Sequence, residues 1–107
     1  MAETTGALTE AVYYILLALY EPMHGYGIMQ RVQALSSGRV TLGAGTLYGA
    51  LSTLLEKGWI TPTGSGVGDR RKEYAITPQG KTAAEAEIRR LEELIRNGRS
   101  ITGGAIQ

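Results

Sequence analysis

The stretch Thr41-Leu-Gly-Ala-Gly-Thr-Leu-Tyr-Gly-Ala-Leu-Ser-Thr-Leu-Leu-Glu-Lys-Gly58 threads three glycines through the start of an apolar run. Leu47, Leu51, Leu54 and Leu55 recur at helical spacing and predict a helix from about Gly45 to Lys57, with Gly58 as its C-terminal cap. Gly43, Gly45 and Gly49 admit two readings. A dinucleotide loop needs G-x-G-x-x-G after a buried strand, and a P-loop needs Gly-Lys-Ser/Thr. Here the spacing is G-x-G-x-x-x-G, the preceding Arg39-Val-Thr-Leu42 is short, and no Gly-Lys-Ser/Thr follows. The better reading makes Gly43 and Gly45 a tight turn before a helix, and Gly49 a gap that admits close approach. Thr46, Tyr48, Gly49, Ser52 and Thr53 lie off the leucine stripe and face away from the core.

Upstream, Leu8, Val12, Ile15, Leu16 and Leu19 form a helical stripe that Thr4 or Thr5 can cap and Glu21-Pro22 should end. Tyr13, Tyr14, Leu17 and Tyr20 widen its apolar surface, as expected of a helix central to a core or shared with a second chain. Ile28, Val32 and Leu35 predict a second helix, stopped by Ser36-Ser37-Gly38. Downstream the period changes to that of strands. Trp59-Ile-Thr-Pro-Thr63 and Lys72-Glu-Tyr-Ala-Ile-Thr77 predict a β-hairpin with a glycine-rich tip, and Pro62 confines the first strand to an edge or an end.

Thr77-Pro78 then caps and opens a last helix. Ala84, Ile88, Leu91 and Ile95 step along it at nearly coiled-coil spacing. Glu85, Glu87, Arg89, Arg90, Glu92, Glu93 and Arg96 cover the remaining positions, and Asn97-Gly98 should stop it. One reading is a solvated helix lying on its own domain; the other, preferred here, is a dimerisation helix. The order helix, helix, helix, strand, strand, helix gives an α+β, mainly α, fold. It is a winged helix-turn-helix over about 6–77, a C-terminal dimerisation helix over 78–97 and a tail over 98–107, in a single domain. Val12, Ile15, Leu16, Ala84, Ile88, Leu91 and Ile95 are the candidate dimer contacts.

The 107 residues support one small domain with a modest core. There is no cysteine, hence no disulfide, thiolate nucleophile or Cys-type metal site. Met-Ala-Glu-Thr-Thr-Gly-Ala has no basic n-region, and the apolar run Ala11–Tyr20 is too short to span a bilayer, so a cytoplasmic protein without membrane contact is expected. His24 is the sole histidine. With no paired carboxylates recognisable, catalysis has no visible machinery, and no cofactor or metal is expected.

Net charge is only +1, so nucleic-acid binding requires local clustering. Between Arg39 and Lys81 the cations are Arg39, Lys57, Arg70, Arg71, Lys72 and Lys81, against Glu56, Asp69 and Glu73. Positive charge thus gathers where a recognition helix and wing would meet phosphate. Solubilising the turn is the competing role for Arg70, Arg71 and Lys72. Thr46, Tyr48, Gly49 and Ser52 suit close approach to double-stranded DNA, with shape, water and the wing contributing discrimination. Packing on the second helix is the competing role for Tyr48. Tyr13, Tyr14 and Tyr20 are candidates to line a small-molecule effector pocket at the dimer interface; simple packing of the dimer is the competing role for each.

Met23-His-Gly-Tyr-Gly-Ile-Met-Gln30, Gly43-Ala-Gly-Thr-Leu-Tyr-Gly-Ala-Leu51, Leu54-Leu-Glu-Lys-Gly-Trp-Ile60 and Asp69-Arg-Arg-Lys-Glu-Tyr-Ala-Ile-Thr-Pro-Gln-Gly80 resemble, in order, the PadR family of bacterial transcriptional regulators. The resemblance runs from about Leu8 to Leu94. It implies a homodimeric winged-helix repressor that binds operator DNA and pairs through its first and last helices. The single short C-terminal helix resembles the compact subfamily, some of whose members bind flat aromatic drugs through a tryptophan in that helix. This chain's only tryptophan is Trp59, at the first strand of the hairpin, so that clamp does not carry over.

Overall fold

The computed structural model describes residues 6–64 and 72–103. Its elements run α1 (Glu10–Ala18), β1 (Met23–His24), α2 (Gly25–Leu35), α3 (Ala44–Lys57), β2 (Ile60–Pro62), β3 (Glu73–Ile76) and α4 (Pro78–Thr102). The strands form one antiparallel sheet in the order β1-β3-β2. Ile60 faces Ile76 across the hairpin and Met23 faces Tyr74 on the other side. The expected winged helix-turn-helix is therefore present, with Pro62 on an edge strand where its missing N–H breaks no ladder. Strand β1 was not expected. Two residues are too few to show a period, and its pairing with β3 is a tertiary property.

The core joins Ile15, Leu16 and Leu19 of the first helix region to Ile28 and Val32, to Leu47, Leu51 and Leu54, and to Ile60 and Tyr74. Leu35 and Leu55, both expected on apolar stripes, are instead partly exposed. Helix α1 is shorter than its stripe. Thr9 caps it by accepting the Val12 N–H at 3.1 Å, so Leu8 packs on the core from outside the helix. It ends at Ala18, before the proline, because the Leu19 carbonyl accepts the Ile76 N–H at 2.8 Å. A bond to β3 there replaces the next helical bond. Thr4 and Thr5, the expected caps, lie outside the described residues.

Between α2 and α3 the chain turns on Ser36. Its buried hydroxyl accepts the Val40 N–H at 3.0 Å and donates to the Gln33 carbonyl at 3.3 Å. Gly38, at φ 83°, donates its N–H to the same Gln33 carbonyl. That turn fixes how α3 leaves α2.

Helix α4 is tied at its start to the end of α3. The Thr77 hydroxyl accepts the Gly80 N–H at 3.0 Å and donates to the Gly58 carbonyl at 2.6 Å, while the Thr77 N–H reaches the Trp59 carbonyl. Gly80 is buried against the Trp59 backbone oxygen and Ile76, with no room for a Cβ. At its far end α4 passes through Asn97 and Gly98 and stops at Gly103, whose φ is 81°. The expected stop at Asn97-Gly98 is thus corrected. One interior glycine costs a helix about 1 kcal/mol, too little to end a long one when the helix-forming run Arg99–Thr102 follows.

Candidate nucleic-acid interface

Of the four helices among the described residues, α1 and α4 begin with threonine side-chain caps. The helix-turn-helix pair does not. His24 precedes α2 and Gly43 precedes α3, and neither makes a side-chain cap bond; neither first turn holds an acidic residue. Both helices therefore present backbone N–H groups and the positive end of the helix dipole with no side chain answering them. Gly43 has φ −82° and Gly45 lies inside α3. The tight-turn reading of these two glycines is therefore corrected: no unusual backbone angle demands them. A Cβ at Gly43, Gly45 or Gly49 would meet nothing within 4 Å.

Thr46, Gly49, Ser52 and Thr53 are all exposed on α3, opposite the buried Leu47, Leu51 and Leu54. The Thr53 hydroxyl donates to the Gly49 carbonyl at 3.3 Å, whereas those of Thr46 and Ser52 bond nothing among the described residues. Tyr48 is 49% exposed, yet its phenol tip rests on Gly25 at the start of α2. Lys72 is exposed just before β3; Arg70 and Arg71 lie outside the described residues. The turn adds a cation whose partner sequence reasoning did not find: Arg39 pairs with Glu10 at the start of α1. Lys57 stacks its ammonium 5.1 Å from the Trp59 ring centre.

The far face is built by α1 and α4. Ile15, Leu16 and Ala84 are 0% exposed on one chain, so their assignment as dimer contacts is corrected: they fill the domain's own interior. Val12 and Leu91 are half-buried, while Ile88, Leu94, Ile95 and Ile101 of α4 are exposed, Ile101 by 85%. Glu87, expected on the solvated face, is 5% exposed. It accepts from the Leu8 N–H at 3.3 Å and from Arg90 at 2.9 and 2.6 Å, clamping the start of α1 onto α4. The Arg90 hydrogen bonds hold its carboxyl below the usual range despite the opposing push of burial. Burial raises the Tyr13 phenol, with Tyr14 and Glu87 adding to the effect. Burial also raises Tyr20, helped by Glu85.

Two of the three candidate tyrosines share a cleft. Tyr13 and Tyr14, ring centres 5.8 Å apart, line a cleft of about 340 Å³ with Glu10, Arg39, Glu87, Arg90 and Leu91. Tyr20 does not line it; its ring lies under the Lys81 ammonium, and Tyr13 is close enough to add to the rise of its phenol pKa. A second cleft, of about 390 Å³, runs between residues 6–9 and Val12 on one side and Ala50, Leu54, Lys57 and Trp59 on the other. It joins segments some forty residues apart, which no spacing rule connects. Among the described residues no group of three or more acidic, histidine or cysteine side chains could hold a metal, and no helix is long and apolar enough to cross a membrane.

A helix-turn-helix with a sheet at its flank defines the winged-helix class. The model of the PadR-like family of transcriptional regulators matches residues 14–86, and the chain belongs to that family, a DNA-binding class and not a class of enzymes. An uncharacterised 37.1 kDa protein of a Streptomyces fradiae transposon is 34% identical over 86 residues, covering 79% of this chain; the match spans only 24% of that relative's length. A transcriptional regulator from Clostridium thermocellum superposes with a TM-score of 0.67 at 20% identity, covering 91% of this chain and 92% of its own. A PadR-family regulator from Eggerthella lenta gives 0.67 at 22% identity, with 85% and 76% covered. A Streptococcus mutans protein gives 0.67 at 22%, with 95% and 96% covered. At these identities the three structures speak for the fold.

Proposed function

We propose that this chain is a homodimeric repressor that sets the N-terminal half of α3 into the major groove of an operator. The observation that carries the reading is the character of that half-helix: uncapped, free of acidic residues in its first turn, and carrying glycines with open space around them. A thin helix end with a positive dipole can approach a duplex closely and receive phosphate on its N–H groups. Thr46 and Ser52 offer hydroxyls that bond nothing among the described residues to base edges or backbone, and Gly49 keeps the helix thin between them. Arg70, Arg71 and Lys72 serve as the wing's phosphate or minor-groove contacts.

Dimerisation is supported by the apolar residues that α4 leaves exposed, Ile88, Leu94, Ile95 and Ile101, together with the half-buried Val12 and Leu91. A free surface of that kind on a long helix is costly in water and gains by being covered. Two-fold symmetry then gives a pseudo-palindromic operator with half-sites roughly 34 Å apart. Such a repressor works in the cytoplasm. A second reading adds an effector that releases DNA. The cleft beside Tyr13 and Tyr14 supports it, at a volume that suits a small molecule; Tyr20 lies outside that cleft.

Selection of DNA from a random pool, followed by fluorescence anisotropy against salt, tests the reading. An enriched pseudo-palindrome is expected, with affinity that falls steeply as salt rises and a shallower slope for Arg70→Ala/Arg71→Ala. Ile95→Asp is expected to give a folded monomer by light scattering. Absence of any enriched sequence would count against the function, and an unchanged dimer against the interface.

A further inference from the structure

Two of the sequence blocks meet at one point in space: Gly25 opens α2, and Tyr48 comes from the first half of α3. Gly25 is buried, and its φ is not positive, so its backbone angle does not demand glycine. Space does. A Cβ there would lie 2.9 Å from Tyr48 Cζ and 3.4 Å from Cε1, and closer still to the hydroxyl oxygen. Gly27, two residues on, would bring a Cβ no nearer than 3.3 Å to the His24 ring, a contact a small shift relieves. Gly25 is thus the socket for one particular side chain. The Tyr48 hydroxyl makes no hydrogen bond among the described residues, so what the tyrosine gives α2 is packing.

We infer that Tyr48 is a positioning residue, a brace that sets the angle of α3 against α2, and not the base reader that its place on the exposed face suggests. The inference rests on the proposal that α3 reads DNA, for only then does the angle matter to function. Below the brace, Leu47, Leu51 and Leu54 join α3 to Ile28 and Val32 in the core. Tyr48 adds a contact with the start of α2 from the exposed side of α3. Gly45 and Gly49, three residues before it and one after, carry no side chain that could share this duty.

A double-mutant cycle tests this directly, using purified wild type, Tyr48→Phe, Tyr48→Ala, Gly25→Ala and Gly25→Ala/Tyr48→Ala. Affinity for the selected operator, affinity for a random duplex, the salt slope and the thermal midpoint are measured for each. Tyr48→Phe keeps the ring and is expected to stay within about twofold of wild type on the operator. Tyr48→Ala and Gly25→Ala are each expected to lose about tenfold or more on the operator, with random-duplex affinity and salt slope unchanged. Adding Gly25→Ala to Tyr48→Ala should cost less than about twofold further, because the socket is already empty. Operator affinity in Tyr48→Phe as weak as in Tyr48→Ala would overturn the brace and make the hydroxyl a DNA contact. Losses that multiply in the double variant would overturn it too. If wild type selects no operator, the DNA reading fails. The brace is then judged by the thermal cycle alone: Gly25→Ala should lower the midpoint in wild type but not beside Tyr48→Ala.

Discussion

Helices α3 and α4 both begin with glycine in their first turn, for opposite reasons. At α4, Gly80 sits against the Trp59 carbonyl and Ile76, and Thr77 bonds both the new helix and the end of α3. At α3, Gly45 has no neighbour within 4 Å of where a Cβ would stand, no side chain caps the helix, and Gly49 repeats the pattern one turn on. Glycine weakens a helix interior by about 1 kcal/mol relative to alanine. At α4 internal packing requires it. At α3 no contact among the described residues does, which is why the proposed function assigns these glycines to the duplex.

The contrast can be broken most severely at Gly80. Gly80→Val drives methyl groups into a backbone carbonyl that cannot move without shifting β2, and a loss of about 3 kcal/mol or more by urea unfolding is expected. Thr77→Ala removes a cap and a tertiary hydrogen bond together, for an expected loss of about 1–2 kcal/mol. The comparison is sharpened by Gly45→Ala/Gly49→Ala, which should stabilise the free protein by about 1 kcal/mol, since each new methyl meets only solvent. A stabilised protein with impaired DNA binding would separate the two kinds of glycine cleanly.

The smallest expected effect lies where α4 grips α1. The folded pKa of Glu87 is depressed, chiefly by its Arg90 hydrogen bonds. Its stabilisation is therefore present above the ordinary glutamate range and is lost as pH falls through the lower, folded value. Glu87→Gln should flatten that part of the acid limb, seen as a smaller drop in urea midpoint between about pH 5 and about pH 3. An acid limb as steep as that of wild type would show that Glu87 does not titrate with folding.

Long periodic segments were legible in the sequence. The four helices, the hairpin and the Gly58 cap follow from leucine spacing and turn residues, because each is a local pattern repeated over several turns. What the sequence hid depends on contacts between distant segments. Strand β1 exists by pairing with β3, and α1 ends early because β3 takes the Leu19 carbonyl. Glu87 resembles its charged neighbours until the Leu8 N–H and Arg90 close over it. In the candidate interface, the exposed face of α3 was readable from residues off its stripe. That Tyr48 on this face leans back onto Gly25 was not, for those two residues lie in separate sequence blocks. Ile15, Leu16 and Ala84 were placed at a dimer surface because a stripe shows which side is apolar, not whether the same chain already covers it.

The central claim, that the bareness of α3 serves DNA, is tested most directly by operator affinity in Gly45→Ala/Gly49→Ala, measured by fluorescence anisotropy beside its urea stability. The expected result is a protein as stable as wild type or more so, with operator affinity down by about tenfold or more. Undiminished affinity in that variant would contradict the claim and move the recognition surface away from the start of α3.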